Sequence, residues 1–188
     1  ISYTPLEEII GKHLFSLENL HRHRVLYCFD NIPDTTDMKS PFIVFAHILC
    51  PHPPFVFGEN GEKVNNVKIN FFDATLYRDE AHETQEEYIE KYRNQSKFTS
   101  KKIIKTIDDI LTRSNTLPII IIQADHGSGA FFDETSLENA NLKERFSILN
   151  AYYFPNNNYK HLYDTITPVN SFRVIFNTYF NCQYKLLK

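Results

Sequence analysis

Hydrophobic positions along this chain switch between helical spacing and short continuous runs. Residues 6–17 carry apolar side chains at helical spacing, and Thr4–Pro5 before them fits an N-cap followed by the first helical position. A second apolar segment covers residues 20–29. Its two histidines, His21 and His23, are predicted to be solvated, because residues two apart do not share a helix face. The start of the chain therefore predicts helix.

Three continuous apolar runs predict buried strands. The first is PFIVFAHIL, residues 41–49, whose length and β-branched content fit a strand covered on both faces. It stops at the proline-rich residues 51–54, because proline lacks the backbone donor that a strand needs. The second run, residues 118–123, contains four consecutive isoleucines and leads into polar residues and glycines, as a central parallel strand does. The third is FSILNAYYF, residues 146–154.

Helical segments separate these runs. Residues 85–113 contain no Gly or Pro and carry tyrosines and isoleucines at helical spacing, which predicts a long amphipathic helix. A short helix near residues 136–145 and a helix over residues 167–180 complete the pattern. The order of helix, strand, helix, strand, helix, strand, helix predicts an α/β fold. We expect a single domain over residues 1–188, with a mainly parallel sheet and helices on both faces.

Composition narrows the function classes. The formal net charge is −3 and the pI is near 6.2, so the chain lacks the clustered basic residues that neutralise nucleic-acid phosphates. Its longest apolar runs are far shorter than the roughly 20 residues that span a bilayer, and no signal peptide is recognisable. We therefore expect no nucleic-acid partner and no membrane span within this chain.

The three cysteines are Cys28, Cys50 and Cys182. An odd number without CxxC spacing fits neither a disulfide framework nor a thiolate zinc site. All three are predicted to be small buried hydrophobic side chains rather than reactive thiols.

The sharpest chemical feature is the triplet Asp125-His126-Gly127, directly after the four isoleucines. A carboxylate oxygen and an imidazole nitrogen in succession can bind one divalent cation if the backbone turns at once, and Gly127 permits that turn. The alternative interpretation is a solvated turn, but the end of a buried strand is where α/β proteins place their ligands.

Two further histidines, one inside the first apolar run and one after it, are candidates for a substrate contact. His52 lies in the sequence PHPPF at the end of that run, and parallel neighbouring strands would bring it towards the triplet. It could contact an anionic ester oxygen or assist a leaving group. His47 lies inside the run, where a histidine is more often part of the core, and is the weaker candidate for a substrate contact.

These motifs together resemble the sulfatase-like branch of the alkaline phosphatase superfamily. PIIIIQADHG is preceded by FAHILCPHPPF and followed by KERFSILNAYYFP and ITPVNSFRVIFNTYF. The resemblance extends over residues 41–180 and includes membrane-anchored enzymes similar to lipoteichoic acid synthase and phosphoethanolamine transferase. It implies a partial alkaline-phosphatase-like domain, here the carboxyl-terminal part of a larger catalytic domain.

The resemblance implies a metal-dependent hydrolase or transferase acting on phosphate or sulfate esters. Asp125 and His126 match the residues that bind one divalent metal ion, which could be Mn²⁺, Zn²⁺, Mg²⁺ or Ca²⁺. His52 matches a histidine that contacts the phosphate or sulfate of the substrate, and His47 is a second candidate for that role. The choice between phosphate and sulfate stays open.

The nucleophile of that family has no convincing counterpart in this chain. The nearest substitute is DNIPDTTD, residues 30–37, where aspartates surround Thr35 and Thr36, but it reads better as a turn with helix-capping residues. We therefore predict that the chain is catalytically incomplete and packs against an amino-terminal segment that supplies the nucleophile. The first residue, Ile1, is not Met, and we expect a membrane-anchored parent protein with an extracytoplasmic domain.

Two other functions compete with this interpretation. A serine hydrolase would use HGSG, residues 126–129, as an oxyanion loop, but the chain has no GxSxG sequence for the nucleophile. A non-catalytic binding or structural module, derived from a degenerate or split sulfatase-like domain, would use exposed aromatic side chains as an interface.

Overall fold

The computed structural model of the protein describes residues 16–187, and the first predicted helix lies almost entirely outside them. The described residues form two compact units. Unit 1 contains residues 16–113 together with Ser128–Asn141, and unit 2 contains Ser114–Gly127 and residues 142–187.

Helices dominate both units. In chain order they are α1 (Leu17–Asn31), a 3₁₀ helix (Ile32–Asp37), α2 (Ala74–Ala81), α3 (Gln85–Arg113), α4 (Leu142–Arg145), a second 3₁₀ helix (Pro155–Asn157) and α5 (Pro168–Tyr179). The strands are β1 (Ile120–Gln123) and β2 (Asn150–Tyr153). None of the helices in the described part of the chain is long and apolar enough to cross a membrane.

The predicted fold class is wrong. Within the described residues the named strands form one small sheet, in which β1 pairs with β2 in the antiparallel direction. The run of residues 41–49 is assigned neither helix nor strand and pairs with no strand in the described chain, and Ile43 and Phe45 are 86% and 88% exposed. Apolar β-branched sequence indicates a preference for extended backbone and burial, but a ladder also needs a second strand at hydrogen-bonding distance.

Unit 1 is organised around the long helix α3. The helix begins at a capping box, in which the Glu87 backbone N–H donates to Thr84 Oγ1 at 3.2 Å and the Thr84 N–H donates to Glu87 Oε2 at 2.8 Å. Phe98 of α3 packs with Val25 of α1 in one apolar cluster of buried residues. A second cluster packs Tyr88 of α3 against three other side chains, namely Phe55, Tyr77 and Ala130.

Unit 2 packs α5 against the small sheet. Ser171 of α5 is fully buried, and its hydroxyl lies 2.6 Å from Tyr152 Oη on β2. Gln123 of β1 donates to the same hydroxyl at 2.9 Å. Phe154, directly after β2, is 1% exposed and stacks on Tyr159 with ring centroids 5.5 Å apart. The hydrogen bonds hold α5 against the sheet near the end of β1, whereas Phe154 packs at the opposite end, where β1 begins.

The cysteines differ in burial. Cys50 is buried, as predicted, and its Sγ lies 3.0 Å from Thr99 Oγ1. Cys28 and Cys182 are only half-buried, so the prediction of burial is wrong for these two. All three are free thiols.

Cys50 is expected to resist thiol reagents in the folded protein. Burial raises the pKa of its thiol to about 12, so almost none of it is thiolate at mildly alkaline pH. Titration with DTNB should modify Cys28 and Cys182 in the native protein and Cys50 only after unfolding in guanidinium. A Cys50→Ala variant should lose only the thiol that reacts after unfolding, and reaction of all three thiols in the native protein would contradict the burial.

Candidate metal centre

The triplet Asp125-His126-Gly127 follows β1 in unit 2. The ladder continues one residue past the strand, because the Ala124 N–H donates to Leu149 O at 2.8 Å. The chain then turns, and Asp125 Oδ1 accepts a hydrogen bond of 3.0 Å from the His126 backbone N–H. This bond uses Oδ1 and leaves Oδ2 available, and the Asp125 side chain is 81% exposed.

The two side chains of the triplet converge. His126 Nδ1 lies 2.9 Å from Gly127 O, and because a carbonyl only accepts, Nδ1 carries the proton. In the neutral ring, Nε2 then has the lone pair that binds metals, and this kind of second contact is what orients metal-binding histidines. Nε2 lies 3.8 Å from Asp125 Oδ2. Ligands of one cation with bonds near 2.1 Å lie about 3 to 3.5 Å apart, so a small side-chain rotation allows both atoms to bind it.

Gly127 is required by its surroundings. A Cβ at this position would lie 2.2 Å from Glu144 O and 2.7 Å from Ser147 O, which are backbone atoms. The Gly127 N–H donates to Arg145 O at 2.7 Å, so the turn is held against the end of α4. The sequence predicted a glycine that permits a sharp turn, and the structure adds this close backbone approach as its reason.

Gly127→Ala is expected to destabilise the protein by about 3 kcal/mol, because backbone atoms must move to admit the methyl group. Gly58→Ala is the matched control. The three atoms nearest its Cβ all belong to the exposed Glu62 side chain, which can move where backbone cannot, so we expect a change of about 0.5 to 1 kcal/mol. Chemical denaturation followed by circular dichroism measures both values. Equal stabilities of the two variants would contradict the close approach at Gly127.

His52 lies in unit 1, in the proline-rich loop that follows Cys50. Gln95 of α3 holds this loop: its Nε2 donates to His52 O at 3.1 Å and to Pro51 O at 3.2 Å. Its Oε1 accepts from the backbone N–H groups of Val56 and Phe57 at 2.9 and 3.0 Å. One side chain, 0% exposed, therefore satisfies backbone groups on both sides of the loop.

The His52 ring is oriented by its own loop. Nδ1 lies 2.6 Å from Pro53 O and therefore donates to it, which leaves the lone pair on Nε2 in the neutral ring. A ring nitrogen of His52 and a carboxylate oxygen of Asp73 lie within 4.8 Å of each other. This nitrogen and oxygen pair is a second ligand combination suited to a divalent cation.

Asp73 is positioned by two donors. Its Oδ1 accepts from the Ala74 N–H at 2.8 Å and from Tyr88 Oη at 3.1 Å. Burial, and then the Asp73 charge, raise the pKa of Tyr88, so the phenol stays protonated and continues to donate at neutral pH. Ala74 follows with a φ of +49°, a strained backbone conformation for a residue other than glycine.

His47 and His52 do not line the same groove. His47 is exposed and lines a groove beside α1 together with His21, and His52 is not among the residues that line this groove. The prediction that His47 contacts the same substrate as His52 therefore gains no support from its position, and it stays a prediction.

Sequence reasoning missed Asp73 and Gln95. Asp73 precedes α2 as its N-cap, and an Asp before a helical segment is a readable signal for a cap but not for proximity to His52. Gln95 is a polar residue on the buried face of a long amphipathic helix, and that pattern could have indicated a buried hydrogen-bonding role.

Comparison with known proteins gives no family. No protein-family model, no curated protein and no solved structure matches this chain.

Proposed function

We propose that this chain is the metal-binding and oxyanion-binding part of a hydrolase or transferase acting on phosphate or sulfate esters. In this proposal Asp125 and His126 bind one divalent cation, and His52 contacts the charged oxygens of the ester. The observation that carries the proposal is the convergence of Asp125 Oδ2 and His126 Nε2 at 3.8 Å, with Nδ1 fixed by Gly127 O.

The side chains perform separate tasks. A bound divalent cation supplies Lewis-acid stabilisation of negative charge on an ester oxygen. Asp125 and His126 hold the cation site at the end of β1 through a turn that Gly127 makes possible. His52, oriented through Nδ1, presents Nε2, which in the protonated ring donates to an oxyanion.

The nucleophile is proposed to come from another polypeptide segment. The hydroxyls of Thr35 and Thr36, the nearest substitutes, donate to Ile32 O and Pro33 O at 2.7 and 2.8 Å within the 3₁₀ helix. They act as local capping groups and lack an adjacent base in these contacts. The exposed apolar face around Phe45 supplies a surface on which such a segment can pack.

The test separates metal binding from oxyanion binding. Purified protein is loaded with Mn²⁺, Zn²⁺, Mg²⁺ or Ca²⁺, dialysed and analysed for metal, and phosphate and sulfate are then titrated by calorimetry with and without EDTA. We expect one cation per chain and anion binding that EDTA abolishes. His52→Asn should weaken anion binding about tenfold or more and leave the metal content unchanged. His161→Asn, at an exposed position in unit 2, is the matched control.

Three outcomes would contradict the proposal. Protein without bound metal after loading would exclude the cation site, and anion binding that is insensitive to EDTA would exclude its role in binding the ester. Steady hydrolysis of 4-nitrophenyl phosphate or sulfate by this chain alone would contradict the missing nucleophile. Absent metal together with retained binding of another protein segment would favour the non-catalytic module.

A further inference from the structure

A groove lies beside α1 in unit 1. Its volume is about 510 Å³, and its walls come from α1 residues between His21 and Cys28, from residues 47–49 and from Phe71. This volume is within the range of pockets that bind small organic molecules. His52, Asp73 and the triplet after β1 are not among the residues that line the groove.

The walls of the groove are basic. Arg24 and three histidines, His21, His23 and His47, line it, and the described residues in its walls include no Asp or Glu. Arg24 forms no hydrogen bond or ion pair within residues 16–187. A guanidinium without a carboxylate partner at the edge of a groove attracts an anion and can bind two of its oxygens at once.

His21 provides a polar atom that lacks a partner. The residue is 6% exposed, so the prediction that it is solvated is wrong, and its Nε2 is buried without a hydrogen bond in the described chain. Such a group is unfavourable unless a ligand satisfies it. The pKa of His21 is lowered by burial and then by the charges of His52 and Arg24, so the ring is neutral at neutral pH. The Phe71 ring packs against the His21 ring in a T-shaped arrangement, with ring centroids 5.5 Å apart.

The remaining walls are aromatic and aliphatic. Tyr27 and Phe71 are 59% and 54% exposed although both are large aromatic side chains. Tyr27 is already stacked on His23 with centroids 6.3 Å apart, which leaves its other side towards solvent. Exposed rings next to a cation favour a ligand that is itself planar and apolar at one end.

We propose that this groove binds a small oxyanion that carries an aromatic ring. Arg24 pairs with the anionic group, and the ligand ring packs between Tyr27 and Phe71. As the ligand enters, Phe71 turns aside and the Nε2–H tautomer of His21 donates to an anion oxygen. The anion is a phosphate, a sulfate or a carboxylate, because all three present coplanar oxygens to a guanidinium. This site requires no metal and does not depend on the function proposed above.

The test uses the full chain in EDTA, so that binding at the metal centre does not contribute. Phenyl phosphate, phenyl sulfate, benzoate, phenol and inorganic phosphate are titrated by calorimetry, and the His21 imidazole resonances are followed by NMR. We expect at least one of the aromatic anions phenyl phosphate, phenyl sulfate and benzoate to bind with a shift of the His21 resonances. The one that binds most tightly identifies the class of the anionic group. Arg24→Gln should weaken that binding at least tenfold, whereas Arg93→Gln, an exposed arginine on α3, should not change it.

Other results overturn the proposal. Failure of all three aromatic anions to bind would remove the site. Equal binding of inorganic phosphate would remove the role of the rings, and equal binding of phenol would remove the role of Arg24. Unchanged affinity of the Arg24→Gln variant for the aromatic anion would also remove the role of Arg24. Because Arg24 is exposed, its variant tests the site without threatening the fold.

Discussion

Gln95→Leu is expected to lower the free energy of unfolding by about 3 to 5 kcal/mol. Leucine has a similar volume, so the effect comes from lost hydrogen bonds rather than from a cavity. The N–H groups of Val56 and Phe57 would lose their partner in a buried position, and the carbonyls of Pro51 and His52 in a partly buried one. Each buried group without a partner costs about 1 to 3 kcal/mol, and water can satisfy some of them. Urea denaturation followed by circular dichroism measures the loss.

The control for this prediction is Glu90→Leu on the same helix. Glu90 is exposed, so the same kind of change should alter stability by no more than about 0.5 kcal/mol. Gln95→Glu gives a finer test, because it keeps an acceptor for the two N–H groups and removes the donors to the carbonyls. An intermediate loss is expected for Gln95→Glu. Equal stability of Gln95→Leu and Glu90→Leu would show that the loop around His52 is held by other contacts.

The helices with clear local signals were predictable from the sequence. The segment without Gly or Pro predicted α3 over Gln85–Arg113, and the structure confirms these bounds. The helix predicted over residues 167–180 is α5, Pro168–Tyr179. Both depend on local information, since caps, proline positions and helical periodicity are all encoded within a few residues.

The fold class was not predictable because it depends on partners distant in the sequence. Ile120–Gln123 was expected to be a central parallel strand, and it pairs instead with Asn150–Tyr153 in the antiparallel direction. The apolarity of the isoleucines is consistent with either arrangement. The run of residues 41–49 has the composition of a strand, yet no other strand of the described chain supplies the hydrogen bonds. Composition describes what a segment tolerates, whereas pairing is decided by the rest of the chain.

The candidate site was likewise predictable only in part from the sequence. Asp125 and His126 are neighbours in the sequence, so one turn is enough to bring their ligand atoms to 3.8 Å, and the residue types alone indicated this pair. Asp73 lies 21 positions after His52, at the far end of a long loop, and nothing local connects the two. Gln95, which fixes that loop, acts from 43 positions away. Adjacent ligands can be found by motif, but supporting residues require the fold.

Asp125→Asn is expected to abolish stoichiometric metal binding while leaving the fold intact. The amide keeps an oxygen at the Oδ1 position, so it can still accept from the His126 N–H that Asp125 caps at 3.0 Å. It removes the negative charge and makes the other ligand position a donor, which cannot bind a cation. We expect at least a hundredfold loss of affinity for Mn²⁺ or Zn²⁺, about 2.7 kcal/mol, measured by competition with a chromogenic chelator.

Asp164→Asn is the matched control for Asp125→Asn, because Asp164 is an exposed aspartate of the same unit and its replacement removes the same charge. It should bind the metal with the affinity of the unaltered protein. His126→Gln should weaken metal binding as strongly as Asp125→Asn, and the double variant should be no weaker than either single one, because the two ligands serve one ion. Full metal affinity in Asp125→Asn, with an unchanged circular dichroism spectrum, would show that the triplet is a solvated turn. A similar loss in Asp164→Asn would show that net charge, rather than coordination at the end of β1, determines the affinity.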